Sequence, residues 1–212
     1  MKLYHGTYEA NLDSILKHGL RPRGKKSGNW KHTVESNSKA VYLTNAYVFH
    51  FAQSAKKHRD GKLVVLEIDC NMLNPFLFAP DEDFLEQVTR EDQQFVQGDM
   101  MKRTRWFRKR ALTNFQLAWK QSLEGMGTCC YHGNIPPEAI TRYATVSADA
   151  SIILLSDPCI TPLNYAIMGG FYRDMVHKIF NDPCNEKSNE CFSLHRENLK
   201  KVSRDGIEVK TP

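Results

Sequence analysis

Apolar positions along this chain alternate between two periods, and the switches mark its elements. Lys2-Leu3-Tyr4-His5 is strand-like, whereas Leu12, Ile15 and Leu16 recur at helical spacing and Gly19 supplies a left-handed stop ahead of Pro22. The first twenty residues therefore predict a strand, a His5-Gly6-Thr7 segment and a small amphipathic helix closed by Gly19 and Leu20. Residues 21 to 39 are rich in Gly, Lys, Ser and Asn and lack apolar periodicity, which predicts a long exposed loop, the kind that often carries function.

Ala40 to Thr44 then predicts a second strand, and Ala46 to Lys57 a helix with Val48, Phe49, Ala52 and Ala55 on one face. The run from Lys62 to Ile68 is apolar and β-branched, as a central strand would be, and it ends at Asp69, Asn71 and a turn around Asn74-Pro75. From Asp81 to about Leu123, charged sequence with spaced Phe, Leu, Val and Trp predicts helices broken near Gly98. Gly127 to Tyr131 and Ala139 to Val146 read as strands either side of an Ile135-Pro136-Pro137 corner, and Ser151 to Leu155 as another short strand.

Thr161-Pro162 is a good helix start, a hydroxyl cap followed by proline at the first helical position, and the helix should run to about Asn181. Beyond Asp182 the apolar content falls and Lys, Glu, Asn and Ser dominate, which predicts a peripheral or loosely ordered tail over 182–212. A length of 212 residues at 41% hydrophobic content suits one domain, residues 1–181, with that tail appended.

Charge changes this picture little. The net +5 is spread over 29 basic and 24 acidic side chains, so only a local concentration of charge would point to nucleic acid. No stretch reaches the roughly 18 to 20 apolar residues of a membrane span, and the first residues lack the apolar run of a secretory signal, so a cytoplasmic protein without membrane contact is expected. Six scattered cysteines form no dense framework and are expected to be reduced thiols.

Taken together, Leu3-Tyr4-His5-Gly6-Thr7 with Ile15-Leu16 and Gly19-Leu20, then Val41-Tyr42-Leu43-Thr44, Val64 to Asp69, and Gly133 to Ile140 around Ile135-Pro136-Pro137-Glu138, resemble the ADP-ribosyltransferase superfamily. The likeness is to the branch holding poly(ADP-ribose) polymerases, DarT-like nucleic-acid modifiers and RNA 2'-phosphotransferases, and it spans roughly residues 1 to 146 around a helical insertion at about 81–123. It implies an α+β fold: a split antiparallel sheet around an NAD cleft, with the helical insertion and a C-terminal helix. It also implies a glycosyl-transfer enzyme with NAD as donor, and the cysteine and histidine spacing gives no expectation of a metal. In that family the motif histidine bonds the nicotinamide-side ribose, the next residue's backbone grips the carboxamide, and a strand tyrosine stacks on the nicotinamide. His5, Gly6 and Tyr42 match these roles, with Thr7 and Thr44 as further cofactor contacts; Thr44 is equally readable as a residue facing a neighbouring strand.

Transfer through an oxocarbenium-like state calls for a carboxylate that holds the ribose hydroxyl and polarises the acceptor, worth several kcal/mol. Counting back from Ile135-Pro136-Pro137, the family's third-strand glutamate position falls near Thr128. Glu124 is the preferred catalytic acid, reaching the cleft if the strand starts early; Glu138 is expected to face solvent, and Thr128 fills the position if no acid is used. A chain without that acid fits an inactive module that binds NAD or ADP-ribose. An RNA 2'-phosphotransferase-like enzyme also lacks it but needs basic residues, for which Arg21 and Arg23 are the nearby candidates.

Six basic residues over 102–110 are interleaved with Trp106 and Phe107. Lys102, Arg103, Arg105 and Arg108 can neutralise phosphates while Trp106 stacks on a base, the combination used on RNA or single-stranded DNA; the competing reading is a helix with its aromatics in the core. The inserted segment thus favours a nucleic-acid acceptor over protein. Cys184, Cys191 and His195 lack zinc-knuckle spacing, and Cys129-Cys130 reads as a pair of buried, inert thiols.

Overall fold

The computed structural model describes residues 1–24, 36–56, 61–89, 118–146, 162–181 and 207–212. Strand β1 spans Lys2–Tyr8 and leads through a tight turn into helix α1, Leu12–His18; β2 is Val41–Thr44, α2 Val48–Lys56 and β3 Leu63–Asp69. There follow β4, Phe78–Pro80, α3, Glu82–Thr89, a helix over 118–126 (α4), β5, Thr128–Tyr131, β6, Ile140–Val146, α5, Pro162–Asn181, and β7, Ile207–Lys210. The fold is α+β.

All seven strands join one antiparallel sheet in the order β4-β5-β2-β1-β3-β6-β7. Alternation along the strands sends Leu3, Val41, Leu43, Val64, Leu66, Ile68 and Cys129 to one face, under Leu12 and Ile15 of α1 and Trp119 and Leu123 of α4. Tyr4, Val65, Ala144 and Val146 go to the other, under Val48, Phe49 and Ala52 of α2 and Tyr172, Met175, Val176 and Ile179 of α5. Helices on both faces explain why β3 is apolar at nearly every position rather than at every second one.

The sheet is uneven at its centre. β1 pairs with β3 along its whole length, from Lys2↔Asp69 to Tyr8↔Leu63, but meets β2 at Tyr4↔Thr44 alone. The expected split sheet is thus one hydrogen-bonded sheet in two wings, β4-β5-β2 and β1-β3-β6-β7, joined at that pair. A buried ion pair knits the longer wing: Glu67 on β3 takes Arg142 and Thr141 from β6, and Arg142 also donates to the Phe180 carbonyl of α5.

Two distant parts of the sequence pattern meet. Gly19 ends α1 at φ 75°, with its amide on the Ile15 carbonyl, and Leu20 then exchanges both backbone hydrogen bonds with Ile135 at 2.9 Å. A side chain at Gly19 would strike the Ile135 carbonyl at 2.1 Å, so glycine serves the close approach as well as the turn.

Two short strands were not read from the sequence. The three-residue strand Phe78–Pro80 edges the sheet where the sequence shows only a turn running into helices. The helical reading of 81–123 holds at its two ends, α3 and α4; 90–117, with Gly98, lies outside the described residues, as does Ser151 to Leu155. Of the tail, 182–206 lies outside the described residues, and Ile207–Lys210 pairs at the sheet edge with β6 from Val146↔Ile207 to Tyr143↔Lys210.

Candidate functional site

The site expected from the sequence falls at the junction of the two wings. Beyond Tyr4↔Thr44 the strands part, and the half-buried His5 ring spans the gap, with Nδ1 2.9 Å from the Tyr42 carbonyl oxygen. A carbonyl can only accept, so Nδ1 carries the proton and Nε2 is left with its lone pair in the neutral ring. Burial pulls the His5 pKa down and the bond to Tyr42 only partly offsets it, which favours that neutral form. Among the described residues Nε2 has no hydrogen-bond partner.

Gly6 carries a packing constraint of its own. A Cβ there would meet the Ala52 amide nitrogen and the Val48 carbonyl oxygen at 2.4 Å, so the space over Gly6 is filled by the backbone of α2. Glycine at this position admits a helix. Thr7 is buried beside it, its hydroxyl accepting from Asn11 Nδ2 at 3.2 Å and anchoring the turn before α1.

Thr44 departs from its cofactor role. Its hydroxyl donates to the Gly127 carbonyl at 2.6 Å and accepts from the Ala46 and Tyr47 amides at 3.0 Å each, which uses its one proton and both lone pairs. The residue caps the entry to α2 and ties it to the start of β5. No capacity remains for a cofactor.

Tyr42 projects from β2 among Ala40, Ala79 and Cys130, half-buried. Its hydroxyl donates to Glu82 Oε2 at 2.5 Å and accepts from the Asn37 amide at 2.5 Å, while Glu82 Oε1 also accepts from Asn37 at 3.1 Å. Burial, reinforced by the Glu82 charge, raises the Tyr42 pKa well above that of a free phenol, so it remains a neutral donor. His5 and Tyr42 are therefore brought together ring-to-carbonyl rather than side chain to side chain.

β5 begins at Thr128, so the early start that would swing Glu124 into the cleft does not occur; Glu124 lies exposed on α4, and Glu138 is exposed in the turn before β6. Thr128 sits opposite Thr44 with its hydroxyl buried. The carboxylate missed from sequence is next door: continuing the β4–β5 register past Pro80↔Cys129 sets Asp81 against Thr128. Ser122 fastens the two, its hydroxyl accepting from the Asp81 amide at 3.1 Å and donating to the Thr128 carbonyl at 2.7 Å.

Asp81 Oδ1 in turn caps α3 by accepting from the Asp83 amide at 3.0 Å. Burial raises the Asp81 carboxyl pKa, and burial together with the Asp81 and Glu82 charges raises that of Asp83 to about 7. Arg23, a phosphate-binding candidate, donates instead to the Ser36 carbonyl at 2.6 Å, and Arg21 is exposed. Lys102, Arg103, Arg105, Trp106 and Arg108 lie outside the described residues, as do Cys184, Cys191 and His195.

Cys129 and Cys130 are buried thiols whose pKa values burial pushes well above the ordinary range. Among the described residues, no group of three His, Cys, Asp or Glu side chains is placed to hold a metal ion, and no helix is long and apolar enough to cross a membrane. No family model and no curated protein matches the chain. Among solved structures it is similar to one titled EcPltA, at 13% identity over 77% of this chain and 86% of that one, with a TM-score of 0.39.

Proposed function

We propose that the chain is an NAD-dependent mono-ADP-ribosyltransferase acting on a macromolecular acceptor, nucleic acid ahead of protein. The observation that carries this reading is the His5 ring at the wing junction, tied through Nδ1 to Tyr42 and with Nε2 unpartnered among the described residues. A neutral imidazole so oriented accepts a hydrogen bond from a ribose hydroxyl, the role that the sequence resemblance gives this histidine. Tyr42, on the strand that His5 grips, supplies the aromatic face for the nicotinamide. The basic and aromatic run over 102–110 supports a nucleic-acid acceptor.

The test is incubation with labelled NAD and a mixture of RNA, DNA and protein. Label that survives protease, disappears with nuclease and is absent with His5→Ala is the expected result; no NAD binding by the parent protein sinks the reading. Equal transfer by Glu124→Gln and the parent removes Glu124 from the mechanism. A second reading, a module that binds NAD or ADP-ribose without turnover, is favoured by Thr128 in place of an acid at the head of β5. Saturable NAD binding without transfer to any acceptor would establish it.

A further inference from the structure

The orientation of the Tyr42 ring is not set by packing alone. Its neighbours Ala40, Ala79 and Cys130 are small, and small side chains leave a ring free to tilt. What fixes it is a closed set of three hydrogen bonds: Tyr42 hydroxyl to Glu82 Oε2, Asn37 amide to the Tyr42 hydroxyl, and Asn37 amide to Glu82 Oε1. Two of these end on a carboxylate that is 4% exposed, and bonds to an ionised acceptor are the stronger kind.

Both anchors of this set are themselves held. Glu82 opens α3 immediately after Asp81, whose amide and carboxylate are fastened to Ser122 and Asp83. Asn37 lies where the chain closes on itself, with Arg23 donating to the Ser36 carbonyl and the Gly24 amide to the Ser38 carbonyl at 2.9 Å. Glu82 thus connects the aromatic residue of the site to the closed base of the segment preceding β2.

We propose that Glu82 is a positioning residue, locking Tyr42 and the Asn37 backbone into one unit so that the tyrosine ring meets a bound nicotinamide in a fixed plane. This rests on the ADP-ribosyltransferase reading above. The carboxylate comes from the β4–α3 turn, not from β5, and it acts through Tyr42 rather than on the reacting sugar.

The experiment uses the whole chain with tyrosines labelled at the phenol carbon, the Tyr42 signal being assigned with Tyr42→Phe, and follows NAD binding in parallel. Besides Glu82, the charged and titratable groups that set the Tyr42 phenol are Cys130 and Asp81. In Glu82→Gln, which keeps the size but loses the charge and one acceptor, the Tyr42 signal should shift and its titration should move to lower pH. NAD should bind at least tenfold more weakly, and the Glu82→Gln/Tyr42→Phe double variant should bind no worse than the weaker single one.

An unmoved Tyr42 signal, or losses that multiply in the double variant, overturns the role of Glu82. Should Glu82→Gln not fold, Tyr42→Phe carries the test, because it keeps the ring while losing the bonds; parent-like NAD affinity in Tyr42→Phe overturns the proposal. A parent protein that binds no NAD sinks the ADP-ribosyltransferase reading and the ligand assigned to this unit. The Tyr42 signal still reports separately whether Glu82 holds the ring.

Discussion

The two wings of the sheet bury their carboxylates in opposite ways. In β1-β3-β6-β7, burial alone would raise the Glu67 pKa, but hydrogen bonds from Arg142 and Thr141 outweigh it and hold the carboxyl below its ordinary range. In β4-β5-β2 the acids stand in a row at the head of α3, where Asp81 caps the helix and burial lifts both Asp81 and Asp83. One wing is closed by a full ladder and a satisfied charge, the other by short strands and polar side chains. The contrast separates a wing whose buried carboxylate is fully matched from one whose buried acids keep raised pKa values, with His5 and Tyr42 at the seam between them.

The largest effect is expected in the long wing. Arg142→Ala strands the Glu67 carboxylate at 1% exposure and should cost about 3 kcal/mol in denaturant unfolding, at the low end for a broken buried pair because Arg142 is partly solvated. A loss below about 1 kcal/mol would show that the ladder, not the ion pair, secures this wing. Gly6→Ala comes next: a methyl group 2.4 Å from the α2 backbone should cost about 2 to 3 kcal/mol, read as a lowered midpoint of thermal unfolding. Unchanged stability would mean that α2 can withdraw from β1.

The remaining effect is a pH dependence that differs between the wings. Asp83 has a folded pKa raised to about 7, so the folded state retains a proton the unfolded chain has lost, and its contribution to stability falls as pH rises from about 4 to about 7. Glu67 has the opposite sign: its folded pKa is lowered, and the stability it gives is present above the unfolded value and lost as acid is added through the folded one. Unfolding midpoints measured from pH 4 to 7.5 should therefore rise with pH less steeply in the parent than in Asp83→Asn. Parallel curves would show that Asp83 titrates normally.

Much of the framework was readable because it obeys one period at a time. β1, β2, β3, β5 and β6 begin or end within a few residues of the breaks in the apolar pattern, and α5 stops at Asn181 where apolar spacing stops. β4 was not readable, since Phe-Ala-Pro is too short to alternate and ends in a residue that usually closes strands. Glu82 was hidden for another reason. In Pro80-Asp81-Glu82-Asp83 it looks like one more solvated acid at a helix start, and nothing local announces a partner forty positions earlier. Thr44 misled in the reverse direction: a hydroxyl suits a ligand, but the entry to α2 and the Gly127 carbonyl claim it.

The short strand Ile207–Lys210 has a protective consequence. It lies along Tyr143–Val146, so the backbone groups of β6 that would otherwise form a sheet margin are already paired, and the new margin is a four-residue strand bearing Glu208 and Lys210 in an exposed ion pair. Short, charged margins resist edge-to-edge association between molecules. The last strand thereby guards the chain against aggregation.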